Sequence, residues 1–245
     1  MKLHRRVEGK IKTVTVKRDV DRWYVCFSVA REAATMPAVF TEIGVDVGLD
    51  SFVTLADGTA IDNPRHLAQG LARMWRTQRR LSRRKRGSQR RRKAAVLVAK
   101  AHRKIRNQRA ACHHHVSRWL NRYGLIAIEN LHIAGLSRGM LARSVNDAGW
   151  RSFFQKLSYK AACAGRELVT VDPRGTSQTC VCGASVPKSL GDRWHACPAC
   201  SLSAPRDVVS AQIILQRARI RRSGQNVEED VSCVSREAVA FQETE

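Results

Sequence analysis

Two sets of residues in this chain have types and spacings that could do chemistry. The first is four cysteines in one short run, Cys180-x-Cys182 and Cys197-x-x-Cys200, with residues 183 to 196 between the pairs. Paired thiols separated by turn residues (Gly183, Pro187, Gly191, Pro198) suit a tetrahedral structural Zn²⁺ in a ribbon of two short strands, against a reading as four buried free thiols. The first pair is one residue tighter than the common C-x-x-C knuckle, so its thiolates must approach from a sharper turn, for which Gly183 supplies backbone freedom. The second set is three carboxylates far apart in sequence: Asp46 inside the apolar run IGVDVGLDSFVTL, Glu129 at the end of GLIAIENLHI, and Asp207 ahead of VVSAQIILQRAR. A carboxylate in a core strand costs several kcal/mol unless it is paired, hydrogen-bonded or holding a cation, so Asp46 and Glu129 need a reason to be there. Asp207, taken alone, reads equally well as a helix N-cap. Together the three acids could hold two Mg²⁺ about 3.5–4 Å apart, one ion activating water and the other stabilising a departing 3′ oxygen.

The elements that would position these residues follow from periodicity. Residues 10 to 29 alternate and are rich in Val, Thr and aromatics, which predicts a β-hairpin or two barrel strands; residues 30 to 41, with Pro37, read as a linker. Residues 43 to 55 predict a buried strand, a Gly-Leu turn and a second strand, with Asp57-Gly58 as the next hairpin turn and Asp50 at the surface. GLIAIE and ELVTV predict two more buried strands. Ser144 to Asp147 resembles a helix-start box for AGWRSFFQKLSYKAACAG, whose Trp150, Phe153, Phe154 and Leu157 should pack on the sheet and which Gly165 should end. Val208, Ala211, Ile214 and Leu215 recur at helical spacing, which puts Asp207 at a helix start. The polar, acidic residues 223 to 245 read as a flexible tail.

Charge narrows the class of partner. The 245 residues carry 44 Lys and Arg against 21 Asp and Glu, a net charge of +23, which points to a polyanion, nucleic acid before membrane. No apolar run approaches the roughly 20 residues of a spanning helix, and no signal-peptide core follows MKLHRRVEGK. A reducing compartment is expected, with Cys26, Cys112, Cys163 and Cys233 as ordinary thiols. Residues 63 to 128 contain twenty Lys and Arg and no Asp or Glu. An apolar helical stripe broken at Gly87-Ser88 makes this stretch two long helices, an arginine-rich hairpin. With no acidic partners the charged face repels itself, so phosphate contacts are the more economical account of Arg79, Arg80, Arg83, Arg84, Lys85, Arg86, Arg90, Arg91, Arg92, Lys93, Arg103, Lys104, Arg106 and Arg109. His113, His114 and His115 read as helix surface or nucleic-acid contacts rather than metal ligands, because consecutive helical residues point in different directions.

The order strand-Asp, strand-Glu, cysteine ribbon, helix-Asp resembles an RNase H-like (RuvC-type) α/β fold. GVDVGL, RRLSRRKRGSQRRRKA, NQR, IAIENL, NDAGW, TSQTC, CPAC and RDVVSAQIIL resemble the TnpB or OrfB proteins of insertion sequences, compact RNA-guided DNA nucleases related to type V CRISPR effectors. The resemblance covers most of residues 10 to 215. It implies a β-barrel remnant and linker over 1–41, a RuvC-like core over 42–175 with a basic helical insertion at 63–122, a zinc ribbon over 176–204, a C-terminal RuvC-like helix over 205–222 and a tail over 223–245. It also implies catalytic, Mg²⁺-binding acids at Asp46, Glu129 and Asp207, zinc ligands at Cys180, Cys182, Cys197 and Cys200, a DNA target and a guide RNA as partners, and a prokaryotic cytoplasmic, nucleoid-associated location. Met1 then falls inside the barrel of an N-terminally truncated member. Three positions depart from the family pattern: Pro205 replaces the usual acid, Val209 the usual Asn, and Ser201 the common Gly. The implied activity is two-metal-ion DNA cleavage in transposition; the alternative is a non-cleaving nucleic-acid-binding remnant or regulator of the same family.

Overall fold

The computed structural model describes residues 6–30, 37, 39–189 and 191–223, and the chain divides into two compact units. The predicted tail from 224 onward and Cys233 lie outside the described residues.

In the first unit, β1 (Lys10–Asp19) and β2 (Arg22–Ala30) form the expected antiparallel hairpin, turning through Val20 at φ 65°. The basic stretch forms α1 (His66–Ser82) and α2 (Gln89–Leu120), broken where expected; from His113 onward α2 belongs to the second unit. Gly87 turns at φ 81°, and the Ser88 hydroxyl accepts the Arg91 backbone N–H at 3.2 Å as an N-cap. A Cβ at Gly70 would meet Ile105 Cδ1 at 2.7 Å, so this glycine lets α1 approach α2. Asp21 pairs with Lys100 at 2.6 Å and with Arg103 at 2.8 Å, and Asp19 pairs with Arg106, which ties the hairpin to α2. The Lys100 hydrogen bond, helped by Arg103, lowers the Asp21 carboxyl to about 2.

The second unit is built on a mixed sheet ordered β5-β4-β3-β6-β7, comprising β3 (Glu42–Asp46), β4 (Ser51–Leu55), β5 (Ala60–Asp62), β6 (Leu125–Glu129) and β7 (Glu167–Val171). β3, β6 and β7 run parallel, and β4 and β5 antiparallel. Between β6 and β7 lie α3 (Ile133–Leu136), α4 (Ala142–Ala148) and α5 (Trp150–Cys163). Ser144 to Asp147 is therefore not a cap: it lies inside α4, and the break before α5 is Gly149 in the left-handed region at φ 67°. Gly165 follows α5 at φ 63°, as expected.

Trp150, Phe153 and Leu157 are buried on α5; Phe154 is only partly so. His113 departs from its surface reading. It is 1% exposed, stacks on Phe52 with centroids 5.4 Å apart, and has Nε2 2.8 Å from the Ala148 carbonyl, whereas His114 and His115 are exposed.

The ribbon follows as β8 (Trp194–Ala196) and β9 (Ser203–Pro205), paired antiparallel, with a bridge between Thr179 and Ser185. Of the two strands expected between the cysteine pairs, only β8 lies there; its partner β9 comes after Cys200. The chain then enters α6 (Arg206–Ser223), whose buried face is Val209, Ser210, Ala211, Ile213, Ile214 and Ala218. Val208 and Leu215, expected on that face, are only partly buried. Of the cysteines outside the ribbon, Cys26 and Cys112 are free thiols, and Cys163 is disulfide-bonded, contrary to its reading as an ordinary thiol.

Candidate active site and metal centre

The parallel register Gly44↔Ala127 and Val45↔Ile128, carried one residue further, places Asp46 beside Glu129 at the C-terminal ends of adjacent strands. Side chains alternate along a strand, so both acids share the face of Gly44 and Ala127. That face packs on α6. Leu125 and Ala127 form one core cluster with Ile214 and Ala218, and a Cβ on Gly44 would lie 1.9 Å from the Ala211 carbonyl oxygen. Bare backbone at Gly44 seats α6 directly on the sheet, and the first turn of α6 carries Asp207.

Asp46 feels the charges of both other acids. Burial pushes the Asp46 carboxyl well above the usual carboxylate range, the charges of Glu129 and Asp207 push it further, and Arg206 only partly offsets them. Burial also raises Glu129, opposed by the Thr176 hydroxyl and by the charge of Arg217. The three partly buried carboxylates offer hard oxygen donors of the kind divalent cations take, with Arg206 and Arg217 near enough to offset part of their charge.

Three positioning groups escaped the sequence reading. Thr176, in the turn after β7, donates its hydroxyl to Glu129 Oε1 at 2.5 Å. Arg206 hydrogen-bonds Asp207 Oδ1 at 3.3 Å and reaches the ribbon, through its backbone N–H to the Arg193 carbonyl at 2.9 Å and its guanidinium to the Ser189 carbonyl at 3.5 Å. Arg217 donates to the carbonyls of Asp172 and Arg174, at 2.7 and 2.8 Å. Only the TSQTC run hinted at the first, and no spacing rule names a partner 47 residues away. Asp50 is exposed, as expected, and pairs with Arg65 at 3.4 Å and with Arg193 of the ribbon.

The ribbon brings all four cysteines together, with Sγ atoms within 4.8 Å of one another. Cys180 and Cys200 are 3.6 Å apart, and Cys182 and Cys197 3.7 Å, close to the roughly 3.8 Å edge of a tetrahedron with Zn–S bonds of about 2.3 Å. The backbone N–H groups of Cys200 and Ala199 hold the Cys197 thiol below its usual range, favouring the thiolate a metal needs. The cluster could therefore bind zinc; among the described residues it is the one group of three or more such donors at that spacing. Ser201 adopts φ 57°, the left-handed conformation for which glycine is suited. Val209 is 1% exposed, so its side chain packs in the core instead of supporting a ligand.

Of the basic residues expected at nucleic acid, Arg79, Arg80, Arg83, Lys85, Arg86, Arg90, Arg92, Lys93, Lys104 and Arg106 are exposed, and Arg84, Arg91, Arg103 and Arg109 are partly buried. Arg91 donates to the Leu81 and Arg84 carbonyls, and Arg103 and Arg106 hold the hairpin turn. No described helix is long and apolar enough to cross a membrane.

The α/β fold with its mixed sheet is Cas12f-like. Two solved structures share it. The chain titled "Cryo-EM structure of the Cas12f1-sgRNA-target DNA complex" superposes at TM-score 0.50 and 19% identity, over 82% of this chain and 55% of that one. A CRISPR-Cas12f ternary complex gives 0.55 and 19%, over 79% and 42%. The OrfB_IS605 family model, "Probable transposase", matches residues 24–140, and the "Cas12f1-like, TNB domain" model matches 150–214. A Streptomyces pristinaespiralis protein named "Putative RNA-guided DNA endonuclease" is 38% identical over 83% of this chain and 52% of its own length. An Escherichia coli (strain K12) protein of the same name with the suffix InsQ is 28% identical over 86% and 58%. The chain belongs to the TnpB (OrfB) family, and spans a little over half the length of these curated relatives.

Proposed function

We propose that this chain is a transposon-associated, RNA-guided DNA endonuclease that hydrolyses phosphodiester bonds with two Mg²⁺ ions held by Asp46, Glu129 and Asp207. What supports this reading is the β3–β6 register, which sets Asp46 beside Glu129, the seating of α6 with Asp207 in its first turn on the same sheet face at Gly44, and the charge that Glu129 and Asp207 impose on Asp46. Bound Mg²⁺ would lower the pKa of an attacking water and stabilise the departing 3′ oxygen. The protein's own part is to hold three acids at one sheet edge, partly shielded from water, with Arg206 and Arg217 limiting their repulsion.

A sheet with parallel β3, β6 and β7, edged by antiparallel β4 and β5, supports an RNase H-like, RuvC-type core over 42–175 and 205–222. The hairpin fits a β-barrel remnant within 1–41, and residues 176–204 fit the ribbon with its structural Zn²⁺. The exposed arginines and lysines of α1 and α2, an insertion at 63–122, supply phosphate contacts to guide RNA or target DNA. Such a protein would work in the prokaryotic cytoplasm, at the nucleoid.

The test is cleavage of DNA with Mg²⁺ by protein co-expressed with RNA from the flanking locus. Wild type should cut and Asp46→Ala should not, while both bind RNA equally. Cleavage by Asp46→Ala at the wild-type rate would remove the assignment.

A further inference from the structure

We propose that Thr176 is the positioning residue for Glu129, holding its carboxylate from the turn that leads into the cysteine ribbon. The inference rests on the acidic site described above and adds to it a residue to which the sequence assigned no role. Asp46 and Asp207 are short side chains held at a strand end and a helix start, whereas Glu129, also at a strand end, carries an extra rotatable bond. Immobilising a glutamate side chain costs rotamer entropy, so a pre-formed site needs an external hold. Thr176 is 4% exposed, and its hydroxyl lies 2.5 Å from Glu129 Oε1 and 3.0 Å from the Pro173 carbonyl. The hydroxyl has one proton, and the carboxylate is the stronger acceptor.

The turn that carries Thr176 is itself fixed. Gly175 takes φ 73°, and its carbonyl accepts from the Gln178 backbone N–H at 3.0 Å and the Thr179 hydroxyl at 2.8 Å. Arg217 of α6 clamps the carbonyls of Asp172 and Arg174 just before it. The turn is thus braced on the helix that bears Asp207, and it reaches Cys180 four residues later. Glu129 is held in one orientation relative to the other two acids before any metal arrives.

The experiment is Mn²⁺ titration of the full chain followed by electron paramagnetic resonance, with Asp46→Ala defining which binding belongs to the site. Thr176→Val keeps the shape and removes the hydroxyl; it should weaken Asp46-dependent Mn²⁺ binding by roughly 10–100-fold, the range for groups that orient metal ligands. Thr176→Ser should bind as wild type, which a purely space-filling role would not predict. Glu129→Asp draws the carboxylate out of the hydroxyl's reach, so adding Thr176→Val to it should cost nothing further. Wild-type Mn²⁺ affinity in folded Thr176→Val, or additive losses in the double variant, overturns the inference and leaves the acidic site standing. Absence of any Asp46-dependent Mn²⁺ site in wild type overturns the site reading and this inference with it.

Discussion

Replacing Gly44 with alanine adds one methyl group at the point where α6 rests on the sheet. The new Cβ would lie 1.9 Å from the Ala211 carbonyl oxygen and 2.9 Å from Leu215 Cβ. An ordinary C···O contact is about 3.3 Å, so the helix must move by roughly 1.4 Å or the strand must yield by as much. Neither is a flexible side-chain end: the obstructing atom is backbone in the middle of α6, whose buried face includes Val209, Ile213 and Ile214. Overpacking of this kind costs typically 1–3 kcal/mol, which for a unit of this size lowers Tm by roughly 2–12 °C. The same displacement carries Asp207 with it, and misplacing a reacting group by 1 Å can cost about 10²-fold in rate. Thermal unfolding followed by circular dichroism, with cleavage or Mn²⁺ binding on the folded fraction, reads both effects. Gly139→Ala is the control, because the nearest atom to its added Cβ is 3.8 Å away. A Gly44→Ala protein with wild-type Tm and wild-type metal affinity would refute the argument that bare backbone seats this helix.

Other consequences can be checked alongside. Chelating zinc should unfold the ribbon, since structural sites contribute roughly 10–16 kcal/mol of apparent binding energy, and protease should then cut between residues 177 and 205; unchanged cleavage patterns would count against the site. Ser201→Gly should stabilise the metal-loaded ribbon by about 1 kcal/mol, because it relieves a left-handed conformation, and slower zinc release would show it. Asp21 has its pKa lowered from 3.8 to about 2, so the hairpin's tie to α2 should be fully present above pH 3.8 and lost as the pH falls through 2. Amide exchange of β1 and β2 across that range should follow this course in wild type, and Asp21→Asn should remove the acid-side dependence. Changing Arg79, Arg80, Arg83 and Arg86 together to glutamine should reduce the slope of log binding constant against log salt by roughly 3 if each contacts a phosphate, and an unchanged slope would place the nucleic acid elsewhere.

The strands were legible because their apolar runs are short and bounded by turns, and the acids stood out because Asp46 and Glu129 break those runs. The cysteine pairs announced themselves by spacing. What pattern alone could not supply was tertiary partnership. His113 reads as surface because consecutive helical residues point in different directions, yet it stacks on Phe52; its spacing to Val116 and Leu120 puts it on the buried face of α2, which His114 does not share. The α4–α5 break was misplaced because Ser144 and Asp147 resemble a cap, while the turn is made by the φ of Gly149. Thr176 reaches Glu129, Arg206 reaches Asp207 and Arg217 acts on Glu129 only once the chain has folded, and nothing in their local sequence names the groups they meet.

Everything proposed for catalysis depends on Asp46, Glu129 and Asp207 forming one two-metal site. Anomalous diffraction from crystals of the wild-type chain grown with Mn²⁺ would locate the ions themselves. Two ions about 3.5–4 Å apart, ligated by oxygens of these three residues, are expected. Ions bound elsewhere, with the three carboxylates at the sheet edge left without metal, would contradict the proposal.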